Sequence, residues 1–90
     1  MNDIEELRMS VRGIEPDRAV VIITEYLTLH PEDDEALTLR GMKYWSLGQR
    51  ANAINDYLAA ININPDSKAQ MAMKATYEIL DFYNKDLYNP

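Results

Sequence analysis

Tyr26-Leu27-Thr28-Leu29-His30-Pro31 and Ala60-Ile61-Asn62-Ile63-Asn64-Pro65 carry one pattern, apolar positions two apart and then a proline. The offset from Pro31 to Pro65 also joins Ala19 to Ala53, Leu27 to Ile61 and Leu29 to Ile63. One such match is within chance. Several in a single register indicate a repeating supersecondary unit that stacks on its neighbours to bury a shared core.

Working outward from the second proline, the unit over 34–67 reads as two helices. Leu37, Gly41 and Tyr44 recur at i, i+4, i+7 and so share one helical face. Gly48 ends that helix, since glycine takes the left-handed cap conformation without steric cost. A second stripe of Ala53, Ile54, Tyr57 and Ile61 runs up to Pro65, and Asn64 before it is biased away from helical angles. Asp33 can cap the first of these helices, with Glu32, Asp34 and Glu35 adding negative charge where the helix dipole favours it. Ser67 and Gln70 have the spacing of a capping box for a further helix.

The stretch 1–33 is less regular. Asn2 with Glu5, or Asp3 with Glu6, offers a capping box, Gly13 a stop, and Pro16 suits the first position of a helix. The β-branched run Val20-Val21-Ile22-Ile23-Thr24 suggests a strand in isolation. The register sets it opposite 52–63, and a tertiary pattern outranks local propensity, so it reads as helix. The expectation is an all-α fold of five helices near 3–12, 16–29, 34–47, 50–63 and 68–85.

Composition agrees with that class. A chain of 90 residues is one domain's worth, or part of an extended array. It can bury roughly 60–65% of its unfolded surface, which leaves little room for an enclosed cofactor pocket beside the core. Hydrophobic residues make up 47% and charged residues 27%, a globular balance. The absence of cysteine excludes disulfides, iron–sulfur clusters, thiolate zinc sites and a cysteine nucleophile. The net charge of −6, from 15 acidic against 9 basic residues, repels phosphate backbones and argues against nucleic acid as a partner. No apolar run approaches the ~18–20 residues of a membrane span. Met1-Asn2-Asp3-Ile4-Glu5-Glu6 lacks the basic and apolar regions of a secretory signal, and the expected location is the cytoplasm.

Leu37, Gly41, Tyr44, Gly48, Ala53, Tyr57, Ala60 and Pro65 together resemble the signature of the tetratricopeptide repeat family. The physical reasons are local. Gly41 and Ala53 let two helices approach, Tyr44 and Tyr57 fill the space beside them, and Ala60 leaves room for the next unit. The resemblance makes 34–67 a full repeat, 1–33 a degenerate first repeat with Leu7 where glycine is usual, and 68–90 a terminal helix and tail. Arg40 stands where a large apolar residue is usual, and Arg50 replaces an aromatic. A buried unpaired arginine is very costly, so Arg40 must reach the rim or pair with an acid such as Asp56. The resemblance implies a right-handed superhelical stack of antiparallel helix pairs. Its concave groove, lined by the first helix of each pair, would bind peptides or partner proteins.

No phosphate-binding loop, nucleophile elbow or metalloprotease motif is present, so no enzyme and no cofactor is expected. His30 has no second histidine or cysteine to share a metal, and Glu32-Asp33-Asp34-Glu35 lacks the spacing of a calcium loop. On the helix over 34–47, Glu35, Leu39, Met42 and Ser46 lie opposite Leu37, Gly41 and Tyr44, with Trp45 at the edge. In the family register Arg8 and Arg12 look toward the same groove, although a solvated face accounts for them as well. The candidate partner-binding groove is therefore Arg8, Arg12, Glu35, Leu39, Met42 and Trp45. Apolar partner side chains would meet Met42 and Trp45, and an acidic group the two arginines. The positions matching the family's chaperone-tail clamp hold Ile4, Arg8, Leu39, Ala69 and Met73, of which only Arg8 suits that role.

In the terminal helix Gln70, Lys74, Glu78, Asp81 and Lys85 form one narrow polar stripe, which leaves roughly 240° of apolar arc at 100° per residue. Met73, Tyr77, Leu80 and Tyr83 are the candidate self-association surface, since a large exposed apolar patch is normally an interface. A symmetric homodimer would close it, or the tail through Leu87 and Tyr88 would fold back over it. The leading function is a non-catalytic protein- or peptide-binding scaffold, and the alternative is a self-associating structural domain.

Overall fold

The computed structural model describes the backbone of residues 3–88 and the side chains of residues 3–78. The described residues form five α-helices and no strand: α1 (Ile4–Val11), α2 (Pro16–Leu29), α3 (Asp34–Ser46), α4 (Arg50–Ile63) and α5 (Ala69–Tyr88). The helices pack against one another, with α3 touching each of the other four.

Local chemistry sets most of the boundaries. Asp3 caps α1 by accepting from the Glu6 amide at 2.9 Å, and Asp33 caps α3 by accepting from the Ala36 amide at 3.1 Å. Pro16 is the first residue of α2, where its missing N–H leaves no bond unmade. Gly13 and Gly48 follow α1 and α3 at φ 74° and 76°, the left-handed conformation in which a helix turns off. Asn64 is extended before Pro65, at φ −138° and ψ 102°.

Two sequence expectations change. The capping box at Ser67 forms only in half. The Ser67 hydroxyl accepts from the Ala69 amide at 3.1 Å, but the Ser67 N–H is already bound to the Asn64 carbonyl at 2.9 Å, and the Gln70 amide group donates to the Pro65 carbonyl instead. The tail does not fold back at 86–88, because α5 continues through Tyr88. The alternative box at Asn2 lies outside the described residues. The β-branched run at 20–24 is helical, as the register required, and its Ile23 is fully buried.

The core runs through all five helices. Leu7 and Val11 enter it from α1, Ala19, Ile23, Tyr26 and Leu27 from α2, and Ala36 and Leu37 from α3. Ala53, Tyr57 and Ala60 belong to α4, and Ala69 and Met73 to α5. The closest approach is between α3 and α4. A Cβ added to Gly41 would lie 2.6 Å from the Tyr57 ring and 3.2 Å from the Ala53 carbonyl oxygen, so only glycine fits.

Arg40 is half-buried and paired. Its Nε and Nη2 donate to the two Asp56 carboxylate oxygens at 2.7 and 2.8 Å, and Nη1 donates to the Thr24 hydroxyl at 3.2 Å. One side chain thus ties α3 to α4 and to α2. The hydrogen bond to Asp56 holds the Arg40 pKa above its ordinary value, against the opposing effect of desolvation. Burial, and then the Asp56 charge, raises the Tyr57 phenol. At the other end, the Tyr26 hydroxyl donates to Asp33 at 2.6 Å, and the His30 ring stacks on Tyr26 with centroids 4.3 Å apart. Asp33 therefore caps α3 and fastens the end of α2 with the same carboxylate.

Candidate functional site

The site is built on the face of α3 turned away from α4. A period of 3.6 residues that puts Leu37 and Gly41 into the core brings Glu35, Leu39 and Met42 round to the other side. Leu39 still packs partly against the core, whereas Met42 is half exposed. Opposite them α5 seats Ala69, Met73 and Thr76 inward, at i, i+4, i+7, and leaves Met71 77% exposed. Between the two helices lies an open groove of about 740 Å³. Glu35, Leu39 and Met42 form its α3 wall and Met71 and Ala72 its α5 wall, with Arg8 from α1 and the 64–68 turn completing the lining.

Hydrogen bonds hold the polar part of this lining in place. The Thr38 hydroxyl donates to the Asp34 carbonyl at 2.8 Å and lies 3.3 Å from the Ser67 hydroxyl, which joins α3 to the start of α5. The Asn64 side-chain amide donates to the Asp34 carboxylate at 3.3 Å. Arg8 stands between two carboxylates, 3.5 Å from Glu5 and 3.7 Å from Glu35. Lys68 pairs with no carboxylate among the described residues.

A second, smaller hollow of about 330 Å³ continues along α3 and α5, lined by Trp45, Tyr57, Ala75 and Thr76 among others. It shares Met42 and Ala72 with the first groove, so these two residues stand where the hollows meet. The Arg50 guanidinium lies over the Trp45 ring, 5.3 Å from its centroid, and braces the indole from the α4 side.

No family model, curated protein or solved structure matches this chain.

Arg8, Glu35, Leu39 and Met42 line one groove, and Trp45 belongs to its smaller continuation. Arg12 does not join them. It follows the last residue of α1 with φ −63° and ψ 124°, has left the helical phase that would align it with Arg8, and is exposed. Of the candidate self-association residues, Met73 is 4% exposed and belongs to the core, because α5 turns this residue toward its neighbours. Tyr77 is 57% exposed, and the side chains of Leu80 and Tyr83 lie outside those described. The apolar arc of α5 is thus divided, part of it seated on the body of the protein and part open. The lining residues that the sequence did not suggest include Thr38, Asn64, Asp66, Lys68 and Met71. Four of these belong to a turn or to polar positions with no motif. Met71 was visible only as one member of a wide apolar arc.

Among the described residues, no group of three or more histidines or carboxylates gathers to hold a metal. No helix there is long and apolar enough to cross a membrane.

Proposed function

We propose that the protein is a non-catalytic peptide- or protein-binding module of tetratricopeptide-repeat type, and that the groove between α3 and α5 is its binding surface. The observation that carries this reading is the pair of exposed methionines on facing walls, Met42 at 52% and Met71 at 77% exposure, over a half-buried Leu39. Exposed methionines offer apolar contact through a flexible, polarizable thioether, which suits recognition of a partner side chain better than it suits a solvated face. The repeat assignment is supported by two features. Helices α2 and α4 have the same length, and one offset carries both their starts, from 16 to 50, and their ends, from 29 to 63. The Gly41, Ala53 and Tyr57 contact also has the form that the resemblance leads one to expect.

Selection of binders from a random peptide library, followed by NMR shift mapping, tests the groove. Bound peptides are expected to shift the amides of Leu39, Met42, Met71 and Ala72. Shifts confined to Val21, Leu29 and Leu58, exposed apolar residues of α2 and α4, would move the site off this groove.

A second reading is self-association through α5, favoured by the exposed Tyr77 ring. Sedimentation over a range of concentrations tests it: Tyr77→Lys should shift a dimer toward monomer, and a wild-type chain that stays monomeric throughout removes this reading.

A further inference from the structure

The charge around the groove differs from what its two cations suggest. Asp34, Glu35 and Asp66 line it against Arg8 and Lys68, and Arg8 is already engaged by Glu5 and Glu35. More carboxylates gather where α3 begins. Asp33 is hydrogen-bonded to Tyr26, and the charges of Asp33, Asp3 and Glu35 all bear on that one hydroxyl. Lys68 is left as the single cation of the lining without a carboxylate partner among the described residues, and Asp66 stands two positions before it.

We infer that the occupant of the groove is a cationic polypeptide segment, in which lysine or arginine flanks a large apolar side chain. This deepens the peptide-binding reading above and rests on it. An acidic tail entering between α3 and α5 would face three lining carboxylates against two cations, one of which, Arg8, is already shared between Glu35 and Glu5, and like charges brought together across an interface select against a partner. A basic segment meets the opposite field. The chain's net charge of −6 draws it in from a distance. Apolar contact with Met42, Met71 and Leu39 then holds it at short range. A methionine-lined groove with acidic surroundings is a general solution for binding basic amphipathic segments, because charge sets polarity while the thioethers adapt to the apolar residue.

Two labelled heptapeptides, Lys-Leu-Lys-Met-Lys-Leu-Lys and Glu-Leu-Glu-Met-Glu-Leu-Glu, test the inference when each is titrated into the full chain by fluorescence anisotropy. The cationic peptide is expected to bind at least about tenfold more tightly and to weaken as salt is added. Lys68→Glu should strengthen it several-fold, and the exposed position at the start of α5 tolerates a carboxylate. Met42→Ala with Met71→Ala should weaken it about tenfold. Glu35→Lys with Asp66→Lys should weaken it more than Glu15→Lys with Asp17→Lys, which makes the same change in net charge at the start of α2. Thermal unfolding of each variant checks that the fold is kept.

Tighter binding of the acidic peptide, or weaker cationic binding in Lys68→Glu, overturns the inference. So does cationic binding that ignores the methionines and responds equally to both charge reversals, since that is attraction to net charge alone. If both peptides bind equally and both depend on the methionines, the groove stands as a peptide site and the cationic partner is refuted. If neither binds, the cationic partner is refuted and the library selection decides the groove.

Discussion

The two helical hairpins solve one packing problem with opposite materials. In the second, α3 meets α4 over Gly41, and the large Tyr57 ring occupies the space a side chain would have taken. In the first, the positions at the repeat offset hold Leu7 and Ile23, the two largest fully buried side chains among the described residues. One hairpin sets the smallest residue against a large one, and at the same offset the other buries two residues of middle size. The turns differ as well: residues 12–15 join α1 to α2, whereas 47–49 suffice between α3 and α4. The ion pair of Arg40 with Asp56 has no counterpart at that offset, where Glu6 and Ile22 stand instead. A glycine contact is therefore sensitive to added volume, and a leucine contact to lost volume.

The largest effect expected is at Leu7. Leu7→Ala should lower stability by about 4 kcal/mol, since it removes fully buried methyl groups and leaves a cavity in the core. Urea unfolding measures it, and a loss well below about 1 kcal/mol would mean that the first hairpin is not held by this residue.

Gly41→Leu should cost about 3 kcal/mol, because even its Cβ falls within 2.6 Å of the Tyr57 ring and the Ala53 carbonyl cannot retreat without moving α4. The double variant Gly41→Leu with Tyr57→Ala gives the second hairpin a packing closer to that of the first. It should recover part of the loss. A double variant no more stable than the single one would break the comparison.

The ion pair ranks next. Asp56→Leu alone should destabilise by about 2 kcal/mol, less than a fully enclosed pair because Arg40 keeps a route to solvent. Arg40→Leu with Asp56→Leu should cost less than either single change, since an apolar pair replaces two desolvated charges. Additive losses in that cycle would show that the two side chains act independently.

The smallest effect separates Tyr26 from Tyr57. Both phenols are raised above the ordinary tyrosine value, each chiefly by burial. The folded chain therefore holds these protons more tightly than the unfolded one. The resulting stability is fully present below about pH 10 and is lost as pH rises beyond it. Tyr26→Phe should cost about 1 kcal/mol at neutral pH through the lost hydrogen bond to Asp33, and should flatten the alkaline fall. Tyr57→Phe breaks no hydrogen bond among the described residues and should flatten the same limb with less loss at neutral pH. Thermal unfolding from neutral to strongly alkaline pH reads both, and an alkaline limb unchanged in both variants would sink the assignment.

What was legible along the chain follows from range. Pro16, Gly13, Gly48, Asp3 and Asp33 act on the few residues beside them, so the helix boundaries could be read directly. Arg40 could be read one step further, because it stands where the resemblance expects a large apolar residue, and a guanidinium there has to reach the rim or pair with an acid such as Asp56. The groove was only half legible. Helical phase brought Glu35, Leu39 and Met42 to one side, but it carried Arg12 along too, and Arg12 had already left the helix. On α5 the apolar arc was evident, while which part of it faced inward was not. Met73 went to the core and Met71 to the groove.

The sequence alone determined that this chain is five helices, where they turn, and that two of them approach closely at Gly41, since each depends on backbone conformation or steric volume within one hairpin. Tertiary structure alone decided how α5 is rotated against α3 and α4. An arc that wide has several rotations that bury a similar apolar area, and the neighbourhood of Tyr57 and the hydrogen bonds to the 64–68 turn select among them. That rotation brings Met71, Asp66 and Lys68 beside Met42, and so decides both the existence of the groove and the sign of the charge around it.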